Sequence, residues 1–108
     1  MENEACIILT SVESKKDAMT IAEQLVEKNL AACVQISAQG ESVYRWKGDT
    51  QKNREYFLNI KSTRSSKQSI VTWLHKHHPY DTPEILCLNA DASKIYMQWM
   101  SANTCSDT

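Results

Sequence analysis

His77-His78-Pro79-Tyr80-Asp81-Thr82-Pro83-Glu84 concentrates imidazole, phenol and carboxylate groups in one short connection, and it carries both prolines of the chain. Proline fixes φ near −65° and turns the residue before it, here His78 and Thr82, toward extended backbone. The segment therefore loses less entropy on ordering than a flexible loop would. Imidazole nitrogen and carboxylate oxygen held in this way form a candidate ligand or metal site, although the segment alone does not name the ligand. The opposing reading leaves His77 and His78 in the last turn of a helix, where their partial charge suits the C-terminus and their rings close the core. His75 and His78, three residues apart, could also chelate adventitiously from a helix surface.

A second group of candidates lies upstream. Glu55 and Lys61 share one strand face by the period-two rule. With Tyr80 they could line a polar cleft that binds a small anion or metabolite through the Lys61 charge, or they could form a salt bridge across a subunit interface. Arg45 could stack on the Trp46 of a neighbour or contact a ligand. Asp81 and Glu84 could form an acid/base pair, yet paired catalytic carboxylates need separated pKa values. Neither an activated nucleophile nor a phosphate loop is visible, so the residues point to binding rather than catalysis.

The elements that position these groups follow from periodicity. Cys6 to Leu9 is a β-prone apolar run. Ala18, Ile21, Ala22, Leu25 and Val26 make a helical stripe from about Lys15 to Asn29, capped by Ser14 with Asp17 at the third position. Leu30 to Ala38 and Ser42 to Trp46 read as one long strand interrupted near Gly40. After the turn signal Lys47-Gly48-Asp49-Thr50, the alternation of Tyr56, Leu58 and Ile60 with Phe57, Asn59 and Lys61 completes a hairpin. The Tyr44-Arg45-Trp46 tip of that hairpin either caps the domain's own core or covers an oligomer contact. Ser65 and Gln68 form a capping-box pattern for a second helix, about Ser66 to His78, which Pro79 ends. Glu84 to Asn89 reads as a short buried strand, and Ser93 caps a last helix carrying Ile95, Tyr96, Trp99 and Met100.

The order is β-α-β-β-α-β plus a terminal helix, an α+β chain of the ferredoxin-like kind whose helices pack on one face of an antiparallel sheet. With 108 residues a single domain over 1–108 is expected, with 101–108 as a frayed tail. Twelve basic and thirteen acidic side chains give a net charge of −1 without long runs of one sign, which provides no footprint for nucleic acid. The acidic N-terminus and the short apolar run after it suit neither a signal peptide nor a membrane span, so a cytoplasmic protein is expected. Cys6, Cys33, Cys87 and Cys105 stand singly, which argues against a zinc ribbon or a thioredoxin-type pair; Cys105 is expected to be exposed.

Four ordered motifs, Leu30-Ala31-Ala32-Cys33-Val34, Tyr44-Arg45-Trp46-x-Gly48, Ile60-Lys61-Ser62-Thr63 and His78-Pro79-Tyr80-x-Thr82-Pro83-Glu84, with Tyr96 and Trp99 behind them, resemble CutA, the divalent-cation tolerance proteins. The resemblance covers nearly the whole chain. It implies a subunit similar in fold to the PII signalling proteins and a tight homotrimer paired through the long hairpin strands. Clefts between subunits would then be bordered by Tyr44, Arg45, Trp46, Glu55, Lys61, Tyr80 and Asp81. It further implies binding of divalent metal ions, copper above all, without catalysis or an organic cofactor. By family position the metal residues are Thr10, His77 and Glu84, and the imidazole and carboxylate of His77 and Glu84 would suit Cu(II) or Zn(II). Some bacterial members carry a cysteine where this chain has Thr10, so the soft thiolate that favours Cu(I) is missing. The alternative is a PII-like regulatory trimer holding a small molecule in a cleft lined by Lys61, Tyr80 and Glu84.

Overall fold

Strand β1 (Ala5–Val12) opens the computed structural model, which describes residues 4–105. Two residues beyond its end stands Ser14, whose hydroxyl accepts the Asp17 N–H at 3.0 Å and caps helix α1 (Lys15–Glu27) as expected. Asn29 then takes φ 60°, a left-handed turn that asparagine tolerates well. The chain returns as β2 (Cys33–Ile36) and β3 (Gly40–Trp46). Lys47 and Gly48, at φ 53° and 86°, make a two-residue type I′ turn into the fifteen-residue strand β4 (Asp49–Thr63).

Strand β4 organises the sheet. Its first half, Asp49–Glu55, pairs with β3; its second half pairs with β1 on one side and, over Leu58–Lys61, with β2 on the other. The interruption expected near Gly40 is therefore a gap at 37–39 between two strands that share one partner. Ser37 bridges the gap: its N–H donates to the Phe57 carbonyl at 2.9 Å, and its hydroxyl accepts the Phe57 N–H at 3.0 Å. Gly40 is required by close approach, because a Cβ there would lie 2.6 Å from the Phe57 ring.

A 3-10 turn (Arg64–Ser66) leads into α2 (Lys67–His77). The expected capping box is not formed. The Ser65 hydroxyl instead bonds that of Thr63, Gln68 donates to Thr72, and the tight turn supplies the helix start. Helix α2 stops where Pro79 demands, with His78 extended at ψ 139°. Strand β5 (Leu86–Ala90) pairs antiparallel to β1, giving the order β2-β4-β1-β5 of a ferredoxin-like sheet. It was expected to be buried, but it is an edge strand with Leu86 56 % and Leu88 51 % exposed.

Cys6, Ile8 and Val12 of β1 and Leu58 and Ile60 of β4 pack against Ala18, Ile21 and Leu25 of α1 and Ile70 and Leu74 of α2. Burial pushes the Cys6 thiol up to about 11, with nearby Cys87 adding to it, so Cys6 acts as a small hydrophobe. Helix α3 (Lys94–Ala102), capped by Ser93, departs from the expectation that the helices share one face. Its Met97 and Met100 pack on Ala5 and Ala32, and strand alternation turns Ala5 away from Cys6 and Ile8.

The expected fraying of 101–108 does not hold over its described part. Asn103 and Thr104 side chains donate to the carbonyls of Trp99 and Met100, the Cys105 N–H donates to Asn29 at 2.7 Å, and the Cys105 carbonyl accepts the Ser66 hydroxyl. Cys105 remains exposed, as expected, and residues 106–108 lie outside the described range.

Candidate functional site

Extended backbone at His78 swings its imidazole off the helix and against β1. Nε2 lies 3.0 Å from both Thr10 Oγ1 and the Ser11 carbonyl, while Nδ1 accepts the Tyr80 N–H at 3.1 Å. An accepting Nδ1 assigns the proton to Nε2, so the ring sits neutral with its N–H directed at Ser11 and Thr10. Burial lowers the affinity of His78 for a second proton, outweighing the upward pull of the Ser11 carbonyl, Asp17 and Glu55. The unfolded chain therefore takes up this proton first as pH falls. The stability contributed by neutral His78 is fully present above pH 6.5, the ordinary histidine value, and is lost progressively below it. Thermal melts should show a falling midpoint between about pH 7 and pH 5.5, with a flatter profile in His78→Gln; parallel profiles would refute the assignment.

Tyr80 continues the chain of contacts. Its ring meets His78 edge-on at 4.9 Å, and its phenol donates to Glu55 Oε2 at 2.6 Å. Burial first, and then the Glu55 carboxylate, holds that phenol protonated far above its usual range. Glu55 is only 6 % exposed, so this bond ties the proline segment to the middle of β4.

The hairpin register decides what else faces Tyr80. Gly40 stands opposite Glu55, Ser42 opposite Asn53 and Tyr44 opposite Gln51, so Ser42, Tyr44 and Trp46 share a face with Asn53 and Glu55. Arg45, Lys52 and Arg54 take the other face. Between the first face, the end of β1 and the proline segment lies a cleft of about 620 Å³. Four carboxylates, Glu13, Glu55, Asp81 and Glu84, border it together with the rings of Tyr44, Trp46 and Tyr80, and no lysine, arginine or histidine does so among the described residues.

Of the candidates read from sequence, the structure thus gathers Tyr44, Trp46, Glu55, Tyr80, Asp81 and Glu84. Arg45 turns away and donates to the Gly48 carbonyl at 3.3 Å. Lys61 lies in the sheet between Ile7 and Cys33 and is not among the residues lining this cleft of a single subunit. The trio Thr10, His77 and Glu84 is divided. Thr10 meets His78, and Glu84 borders the cleft. His77, still helical, stacks on Trp73 at 4.3 Å and bonds its carbonyl through Nδ1 in a separate groove along α2. One residue along a helix rotates a side chain by about 100°, and Pro79 adds the switch to extended backbone, so adjacent histidines end in different places. Among the described residues, no three His, Cys, Asp or Glu side chains converge to hold a metal ion. Sequence reasoning missed Glu13, Ser42 and Asn53; reading the hairpin as a two-residue turn would have placed Ser42 and Asn53 opposite each other.

Comparison with known proteins gives a consistent relationship. The sequence profile described as CutA1 divalent ion tolerance protein matches residues 6–103. The divalent-cation tolerance protein CutA of Yersinia pestis (strain Pestoides F) is 34 % identical over 100 residues, covering 92 % of this chain and 84 % of that protein. The divalent cation tolerance protein of Thermus thermophilus superposes with a TM-score of 0.88 at 36 % identity, over 94 % of this chain and 99 % of its own. CutA1 of the psychrotrophic bacterium Shewanella sp. SIB1 does so with a TM-score of 0.91 at 32 % identity, over 98 % and 100 %.

Proposed function

The chain belongs to the CutA1 divalent ion tolerance family, and from that premise we propose that it is a non-catalytic homotrimer of the cytoplasm that binds divalent cations, copper or zinc, at acidic clefts between subunits. The observation that carries the reading is the sign of the cleft: four carboxylates without a cationic side chain among its described lining residues. Glu84 and Asp81 offer hard oxygen donors, and His77 keeps Nε2 open for a separate imidazole contact. Thr10 is engaged by His78 and carries no thiolate, which favours Cu(II) or Zn(II) over Cu(I). Since one subunit gathers no three-ligand group among its described residues, the coordination sphere is completed by water or a neighbouring subunit.

Trimer formation is supported by apolar surface that a single subunit leaves open: Leu86 and Leu88 on edge strand β5, Val43 and Trp46 on the hairpin, and Ile95 and Trp99 on α3. For the cytoplasm, the supporting fact is that all four cysteines are free thiols.

Calorimetry with Cu²⁺ and Zn²⁺ on tag-free protein, after light scattering has established the mass, tests both halves of the proposal. Roughly micromolar binding near one ion per subunit is expected, weakened about tenfold or more in Glu84→Ala and less in His77→Ala. Uptake that survives both substitutions would overturn it. A second reading, a PII-like regulatory trimer holding a small molecule in the same cleft, is favoured by the volume of about 620 Å³, far larger than a metal ion needs.

A further inference from the structure

We infer that the small molecule suited to this cleft is an organic cation, an amine or guanidinium carried on an apolar body. The inference rests on the small-molecule reading of the cleft and names the chemical class of its ligand.

Four observations converge. First, the hairpin sorts its side chains by face: Tyr44 and Trp46 share the cleft face with Glu55, while Arg45, Lys52 and Arg54 occupy the opposite face, so no basic residue of β3 or β4 neutralises the carboxylates across the cavity. An anionic metabolite would meet only like charge there, and desolvating such a pair is costly. Second, the carboxylates are distributed around the cavity. A compact metal ion needs donors converging on one point, whereas an alkylammonium or guanidinium spreads its charge over several atoms and is served by several separated acceptors.

Third, the walls are aromatic. Tyr44, Trp46 and Tyr80 line the cleft, and aromatic rings attract cations, those of large, weakly hydrated type in particular. The chain already makes such a contact: Lys47 Nζ lies 5.9 Å from the Trp46 ring centroid. Fourth, Glu55 is buried to more than nine-tenths, lines the cleft, and accepts the Tyr80 phenol through Oε2, one of its two carboxylate oxygens, at 2.6 Å. A carboxylate has acceptor capacity beyond one bond, so Glu55 can take a ligand N–H at the inner end of the cleft while the part-buried Tyr80 bond holds it in place. The division of labour is then plain. Glu55 and Tyr80 fix the charged head, Tyr44 and Trp46 cover the apolar body, and Glu13, Asp81 and Glu84 supply a field that concentrates cations at the mouth.

The test is calorimetry on the full-length protein in chelator-treated, low-salt buffer with three probes of similar size: 1-butylguanidine, neutral butylurea and anionic pentanoate. The guanidine should bind at least tenfold more tightly than either of the others. Its affinity should fall at least tenfold in Trp46→Leu and again in Glu55→Gln. Leucine keeps position 46 apolar and glutamine is isosteric with Glu55, and circular dichroism with the oligomeric mass verifies that each variant keeps the fold and the assembly before its binding is read. Equal or tighter binding of butylurea or pentanoate, weakened by the same substitutions, would overturn the organic-cation inference while leaving a small-molecule cleft. No binding of any probe would overturn both. Guanidine binding indifferent to Trp46→Leu and Glu55→Gln would also overturn the inference, because the contact would lie elsewhere.

Discussion

Replacing His78 with alanine is expected to destabilise the fold by roughly 2–4 kcal/mol, out of proportion to its place in a connection between elements. The side chain is 8 % exposed and occupies the junction of α2, β1 and the proline segment. Its removal leaves a void where the ring met Tyr80, and it orphans the Ser11 carbonyl, the Thr10 hydroxyl and the Tyr80 N–H. Buried polar groups without partners account for most of that cost. Urea unfolding should show a lower midpoint with an unchanged slope, and a loss below about 0.5 kcal/mol would show that water replaces the imidazole freely. His77→Ala is the internal comparison. It removes one stacked ring from an exposed groove and should cost well under half as much.

The second large effect is expected at Leu58. Its side chain is fully buried, in register with Thr10 on one neighbouring strand and Ile36 on the other, and it belongs to the cluster shared by β1, β4, α1 and α2. Leu58→Ala should cost roughly 2–5 kcal/mol through lost transfer energy and an incompletely collapsed cavity. Denaturant unfolding measures it directly. Because Leu58 lies three residues beyond Glu55 on β4, the same substitution should loosen the inner end of the cleft. A stability loss near zero would mean that the two-sided packing around β4 relaxes far more readily than a close-packed core allows.

Both predictions turn on residues whose environments were unequally legible. The apolar stripe Ala18, Ile21, Ala22 and Leu25 and the alternation through Leu58 and Ile60 announced their own elements, because helix and strand periods are local properties of the chain. The Ser14 and Ser93 caps were readable for the same reason. The Ser65–Gln68 pattern was equally clear and yet unfulfilled, since Thr63 and the docked Cys105 segment competed for the hydroxyls around it. The exposure of β5 could not be read from Leu86-Cys87-Leu88, because an apolar run looks the same at a sheet edge as at its centre.

By itself, then, the sequence determined the order of elements, the α+β class, the likeness to the CutA family and the importance of the proline segment. All of these depend on spacing along the chain or on motifs. Tertiary structure alone decided that Thr10 meets His78 and not His77, and that within one subunit Glu13 lines the cleft while Lys61 and Arg45 do not. Each of those outcomes brings together groups far apart in sequence, through strand register and through the one-residue change from helix to extended backbone before Pro79. Register fixes which side chains share a face, and a shift of a single position would have exchanged the acidic face of the hairpin for the basic one.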